Sequence, residues 1–595
     1  MNDTAPTRKT EVEAGFGSDA MAGLLRALDI PYIALTPGAS FRGLHDSLVN
    51  YLGNERPQML LCVHEESAVA LAHGYARVTG KPLAVALHAN VGLMHATMAI
   101  FNAWCDRVPI VMVGGVGPID AMKRRPWVDW IHTSRDLGAL IRGYIKWDDQ
   151  PGSVAAALES IVRAYRIAMT QPRGPTYVAL DAGLQEEALA APVPMPALDR
   201  FPAARESVPS PADVREAVAL LGSARKPLLM IGRVSNDPAD FDRRVAFAER
   251  IGAIVLTDIK TGASFPTRHP RHPFPPSLYV TGAATQAIRD ADVIVSLDWI
   301  DLGGTLRQAC EGAWPRAKVI SCSLDEYVHH GWNADYQALP PADLAILAAP
   351  DVSIVAFLEA LGAGKAASSP WLGAPPAEAA PASSASARDR MPLAELARVT
   401  TETLAPLRPS YIRLPLGWPG EHCDFKHPLD YIGFDGGGGI GSGPRMAIGA
   451  GLALRGGDRL PVAVLGDGDY LMGLTALWTG VHYKVPVLVV VANNESFFND
   501  ELHQERVARM RDRPVENRWI GMRMSEPDFD LAGLARSQGA VGIGPVRTVD
   551  ALEAALREGV AAVQGGVVVV IDARVAPEYS RAVSGALMRH IPGKN

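Results

Sequence analysis

Apolar positions along the chain fall into short runs separated by amphipathic stretches, and this rhythm occurs three times. In residues 16–188 the runs PYIALTPG, LLCVHEES, PLAVALHA, PIVMVGG and PTYVALD read as strands, with helical periodicity between them. Residues 205–362 repeat the pattern with KPLLMIG, AIVLTD, ADVIVSLD and KVISCSLD. Residues 391–576 repeat it again with PVAVL, PVLVVVA and VVVVIDA. Alternating strands and helices predict an α/β fold of three doubly wound, parallel-sheet domains. The Pro/Ala-rich AALAAPVPMPALDRFPAA separates the first two. The low-complexity stretch over 363–390 has too few large apolar residues to bury a core and predicts a linker. Residues 1–15 and 577–595 read as tails.

The stretch over 465–496, LGDGDYLMGLTALWTGVHYKVPVLVVVANNES, carries the clearest chemistry. It reads as strand, helical crossover, strand, with a crossover long enough for parallel pairing. A right-handed crossover places Asp467 and Asn494 at the carboxyl ends of neighbouring strands, the edge where open α/β sheets bind ligands. Asp467 offers a carboxylate, Asn494 an amide oxygen and Ser496 a backbone carbonyl, and such hard oxygens suit an octahedral Mg²⁺. A helix starting after Gly468 aims its N-terminus at the same point, which favours a diphosphate. Taken singly, Asp-Gly and Asn-Asn are ordinary turn pairs. Both closing the strands of one crossover unit is the specific signal. Two other segments gain meaning beside it. Glu65, in VHEESAVALAHGYARVTGKP, opens a helix, where an acid is also an ordinary cap. The run GFDGGGGIGSGPRMAIGAGLAL lets backbone approach a ligand, or serves as a plain loop before a buried helix.

Composition narrows the choice. The chain has 595 residues, 48% hydrophobic and 20% charged, with 57 Lys+Arg against 64 Asp+Glu for a net charge of −7. Without a basic block, nucleic acid is not an expected partner. Cys62, Cys105, Cys310, Cys322 and Cys423 are scattered and form neither a disulfide frame nor a zinc pattern. The beginning, MNDTAPTRKTEVEAGFGSDA, lacks an apolar signal core, and no run is long enough to span a membrane, so a cytoplasmic enzyme is expected. The glycine run lacks a clean GxGxxG after a strand, which argues against a nicotinamide dehydrogenase.

The GDG motif, followed after about two dozen residues by NN, resembles the diphosphate motif of thiamine diphosphate (ThDP) enzymes. HEES followed by GYARVTGKP resembles their pyrimidine-binding signature. The resemblance implies pyrimidine-binding, central and diphosphate-binding domains in that order. It also implies ThDP and Mg²⁺ as cofactors, and a homodimer or homotetramer in which two subunits supply the two ends of one cofactor. Glu65 takes the position of the essential glutamate that activates the pyrimidine. Gly438 takes that of the carbonyl receiving its amine, and Ile440 that of the apolar residue that bends the cofactor. Gly468 and Asp469 extend the diphosphate motif. Relatives usually carry serine at Asp469, so this acid should point outward or bind differently. Arg445 stands where many have proline, and Ser442 where many have an aromatic.

ALHANVGLMHATMAIFNAWCDRVPIVMVGG, YIKWDDQP, FPTRHP and TALWTGVHYKVPVLVVVANN resemble the benzoylformate decarboxylases in particular. This implies decarboxylation of a small 2-oxo acid to an aldehyde, with His88 and His269 as the proton-handling pair. His272 is close enough to His269 to substitute for it. The substrate-contacting serine of that group's PGS turn is replaced here by Ala39, and Ser40 follows it. Asp500 and His503 fall where that group lines its aryl pocket with apolar residues. If buried, they would favour a substrate carrying a polar substituent. A carboligase resembling acetolactate synthase, a lyase of 2-hydroxyacyl-CoA thioesters and a catalytically idle scaffold or regulatory subunit are the alternatives, and a non-redox flavin is compatible with this family.

Overall fold

The protein is described by a computed structural model covering residues 5–6, 14–280, 282–328, 338–364, 371 and 389–579. The linker expected at 363–390 and the tails expected at 1–15 and 577–595 lie largely outside these residues. The strands are β1 Tyr32–Leu35, β2 Gln58–Leu61, β3 Ala84–His88, β4 Ile110–Val116, β5 Trp147–Asp149, β6 Pro175–Asp181, β7 Pro227–Ile231 and β8 Ile254–Thr257. There follow β9 Val293–Leu297, β10 Lys318–Cys322, β11 Leu344–Ile346, β12 Pro409–Arg413, β13 Leu460–Gly466, β14 Val487–Asn493, β15 Val541–Val546 and β16 Val568–Arg574. They form three sheets, ordered β2-β1-β3-β4-β6-β5, β11-β10-β9-β7-β8 and β12-β13-β14-β16-β15. Every adjacent pair is parallel, so each sheet is buried on both faces under helices.

The apolar runs in the sequence became strands, all but β2 and β8 of them inner ones, among them β4, β9, β14 and β16, which are buried along their whole length. Four strands carry no such run: β5 (WDD), β11 (LAI), β12 (PSYIR) and β15 (VGIGPV). Each lies at a sheet edge. An edge strand is hydrogen-bonded on one side only, and polar residues, Gly and Pro cost least there.

The first and third sheets are joined through two helices, Glu65–Thr79 and Ser442–Leu454. A Cβ on Gly74 would lie 2.2 Å from the Met446 carbonyl oxygen, and one on Gly449 would lie 1.9 Å from that of Leu71. The helices therefore meet backbone to backbone, which only glycine permits at these two positions. Thr479 Oγ1 donates to the Leu61 carbonyl (3.0 Å) and the Leu61 N–H to Tyr483 Oη (2.8 Å), fastening β2 to the third-sheet domain. Among the described residues no helix is long and apolar enough to cross a membrane.

Candidate functional site

β13 and β14 are neighbours, with Gly466 opposite Ala492. The residues just past their ends are thereby set side by side. Ser496 N–H lies 2.9 Å from Asn494 Oδ1 and 3.3 Å from Asp467 Oδ2, so the two side-chain oxygens converge on one amide. Asp467 Oδ1 accepts from Gly468 N–H (2.8 Å). Burial pushes the Asp467 carboxyl up to about 6, against the backbone amides of Gly468, Glu495, Ser496 and Asn494, which favour its charged form. The donor set is one carboxylate with neutral oxygens. Glu495 adopts φ 57°, which turns the chain tightly between Asn494 and Ser496. The crossover is two short helices, Asp467–Gly473 and Ala476–His482, rather than one continuous amphipathic segment.

The segment after Ser496 folds as a helix, Phe498–Met510, and a returning loop that pairs Ser496 with Arg523. Its placement differs from the expectation of a pocket lined by Asp500 and His503. Both are exposed in the single chain. The acid turned inward is Glu501, which is fully buried, accepts from Ser496 Oγ (2.5 Å) and lies 3.5 and 3.4 Å from Arg518 and Arg523. The helical period sets which acid of the DELH sequence is buried, and the two arginines of the returning loop neutralise it.

The glycine run sits against the helix Ala89–Cys105. A Cβ on Gly437 would lie 2.4 Å from Asn102 Oδ1, and one on Gly439 would lie 2.6 Å from Met98 Cε. Gly438, at φ +69°, instead faces open space, and Ile440 beside it is half-buried. Asp469 does not point outward. It is buried, and its Oδ1 accepts from Gly441 N–H (2.6 Å) and Gly443 N–H (3.1 Å), while Oδ2 pairs with Arg413 Nε (2.9 Å). Arg413 Nη1 also reaches Asp435 Oδ1 (2.7 Å) and Ser442 Oγ (2.8 Å), and Ser442 donates to Asp435 Oδ2 (2.7 Å). The guanidinium stacks 4.1 Å from the Phe434 ring. This buried cluster grips both ends of the glycine run. It also gives Ser442 a role, its Oγ bridging Arg413 and Asp435. Arg445 is used as well: its Nη1 pairs with Glu66 Oε1 (2.5 Å) and its Nη2 bonds the Met472 carbonyl (3.0 Å).

Glu65 is the first residue of its helix, after His64, whose Nδ1 accepts from Glu66 N–H (3.2 Å). The Glu65 side chain is buried and lies over Gly92, where a Cβ would come within 3.1 Å of its Oε1. Its Oε2 is 3.0 Å from His95 Nδ1, and the His95 ring stacks on His64 with centroids 5.0 Å apart. His88 ends β3. Its Nδ1 is 2.8 Å from Ser40 Oγ and its ring packs on His132 at 4.7 Å. Burial, then His132, holds His88 below the usual imidazole range. Ser40 is buried and engaged by His88, while Ala39 is exposed. His64, His95 and His132 were not picked out from the sequence. Their spacing has no motif: His64 and His95 meet where two helices pack, and His132, just past the helix Val128–Ile131, packs on His88.

His269 stays within the central domain, with Nε2 3.4 Å from Glu249 Oε1, its Nδ1 accepting from Arg271 N–H (3.2 Å) and its ring edge-on to Phe265. Among the described residues of one chain it makes no hydrogen bond or ring contact with His88. His272 does not substitute for it. It is buried, with Nε2 2.8 Å from Thr257 Oγ1, and burial pushes it down from 6.5 to about 4. An unfolded chain takes up this proton near pH 6.5, whereas the folded chain resists until about 4. His272 therefore lends full stability above 6.5 and loses it as pH falls between those values. At pH 5 the loss should be on the order of 2 kcal/mol. Urea midpoints at pH 7.5 and 5 should diverge by less in His272→Gln than in the parent.

Three family profiles match the chain: "Thiamine pyrophosphate enzyme, N-terminal TPP binding domain" over residues 16–137, the central domain over 214–352 and the C-terminal TPP binding domain over 416–573. Together they span most of it. Benzoylformate decarboxylase of Pseudomonas aeruginosa is 26% identical over 512 residues, covering 84% of this chain and 87% of its own. A putative acetolactate synthase large subunit of Mycobacterium tuberculosis is 26% identical, covering 95% and 98%. The solved structure of a 4-hydroxybenzoylformate decarboxylase of Rhodococcus jostii shares the fold at a TM-score of 0.75 and 23% identity, over 95% of this chain and all of that one.

Proposed function

The chain belongs to the thiamine pyrophosphate enzyme family, and on that premise we propose that it decarboxylates a benzoylformate-like 2-oxo acid to an aldehyde with ThDP and Mg²⁺. The observation that carries the reading is the convergence of Asp467 and Asn494 on the Ser496 amide at one sheet edge. A glycine cradle left open at Gly438 supports it. Both features fit the cofactor: the oxygens suit Mg²⁺, and the cradle admits a ligand where a side chain would intrude. Asp467, Asn494 and the Ser496 carbonyl would hold the metal and, through it, the diphosphate flanked by Gly468. Gly438 and Ile440 would support the cofactor body and Glu65 its pyrimidine. When bound, ThDP supplies the electron sink for loss of CO₂. Ser40 occupies His88 Nδ1, which leaves Nε2 to move a proton at the substrate, and His269 is the second proton carrier. The proposal includes a homodimer or homotetramer with sites between subunits, in the cytoplasm, as likeness to a family with separate N- and C-terminal TPP binding domains suggests.

Polar groups near the metal end favour a hydroxylated substrate. Tyr279 and Tyr579 pack against Phe498 and Leu502 on the helix that follows Ser496, and they offer two phenols there. The test is CO₂ release from aryl, hydroxyaryl and aliphatic 2-oxo acids with ThDP and Mg²⁺ added. Aldehyde equimolar with CO₂ is expected, with a hydroxyaryl acid preferred about 10-fold in kcat/KM. No CO₂ from any acid, in protein shown to bind ThDP, would overturn the reading. The likeness to acetolactate synthases favours carboligation as the second reading, and a ligated product on adding a second carbonyl compound would identify it.

A further inference from the structure

We propose that His95 is a positioning and proton-relay partner of Glu65, through which that carboxyl exchanges its proton with solvent. The inference rests on the reading of Glu65 as the cofactor-activating acid. Glu65 is only 7% exposed, and Gly92 closes over its Oε1, so the carboxyl has little access to water of its own. Its other oxygen, Oε2, lies 3.0 Å from Nδ1 of His95. In the single chain the His95 side chain is 57% exposed, so this ring joins the buried acid to the open mouth of the site. Its far face is covered by His64, stacked at 5.0 Å, which fixes the ring plane.

The surrounding charges are arranged for this. His64 lies below its ordinary value through burial, then Arg445, so it stays neutral beside His95. Glu66, the next acid, is held by Arg445 and is not free to compete for His95. His88, at the start of the same helix, is occupied by Ser40. Of the titratable groups gathered here, Glu65, Glu66, His64, His88 and Arg445, Glu65 alone hydrogen-bonds His95. The transfer balances without a further reactant. Glu65 Oε2 gives its proton to Nδ1 of the neutral ring as Nε2 releases its own to water or buffer, and the reverse sequence reloads the carboxyl.

The experiment compares His95→Asn, His95→Ala and Glu65→Gln in the full-length protein. Asparagine keeps a hydrogen bond to Glu65 but cannot relay a proton. Both His95 variants should turn over about 10²-fold more slowly. Imidazoles of graded pKa should restore His95→Ala in proportion to the concentration and basicity of the added base. A readout independent of turnover is ThDP binding followed by tryptophan fluorescence. The His95 hydrogen bond holds the Glu65 carboxyl in place for the cofactor, so His95→Ala should bind ThDP about 5-fold more weakly than the parent, while His95→Asn, which keeps a hydrogen bond, should bind it as the parent does. A His95→Asn variant with the parental rate and pH profile, or an unrescued His95→Ala, would overturn the proposal. If Glu65→Gln itself kept the parental rate, the functional reading of Glu65 would fail instead.

Discussion

Replacing Arg413 with methionine is expected to destabilise the protein by about 3–5 kcal/mol, because it leaves two buried carboxylates facing one another without a counter-ion. Arg413, Asp435 and Asp469 are 4%, 1% and 6% exposed. Asp435 is already above the usual carboxylate range through burial, then opposed by Arg413 and raised by Asp469. The loss should shrink as pH is lowered, since protonation discharges the acids that the arginine no longer balances. It should also be largely recovered in the triple variant Arg413→Met, Asp435→Asn, Asp469→Asn, where no buried charge remains. Denaturant unfolding of the three proteins at two pH values measures this. A parental midpoint in Arg413→Met would show that the cluster contributes nothing. The same substitution should weaken ThDP binding, because the arginine holds the glycine run that carries Gly438 and Ile440. Asp469, two residues after Asp467, thus acts on the proposed cofactor site through backbone amides and not by touching a diphosphate.

Glu65→Gln should lower the rate of CO₂ release by about 10²–10⁴-fold, the range ordinarily lost with a general acid–base group. ThDP affinity should change far less, because the metal end at Asp467 and Asn494 is untouched. Glutamine is isosteric, so it still fits over Gly92 and can still hydrogen-bond His95. The change therefore removes an ionisable proton and little packing. Rate measurements with saturating ThDP and Mg²⁺, together with titration of cofactor binding by fluorescence, separate the two quantities. A variant that has lost ThDP binding altogether would place Glu65 in binding and not in activation.

Local patterning was sufficient for the three sheets and for the pairing of Asp467 with Asn494. Buried parallel strands must be continuously apolar, and a crossover of fixed hand brings their ends together. Four of the six edge strands escaped because one-sided hydrogen bonding does not require such a pattern. The likeness to ThDP enzymes was also legible, since its motifs are contiguous in the chain. The tertiary structure decided what contiguity cannot express. Asp469 turns inward because Arg413, 56 residues earlier in the chain, is waiting on β12. Glu501, not Asp500 or His503, is buried because helix phase and two distant arginines select it. His95 meets Glu65 only because two helix starts are packed together at Gly92. Polar side chains far apart in sequence satisfy one another through geometry, and a linear pattern records which groups are available but not which of them meet.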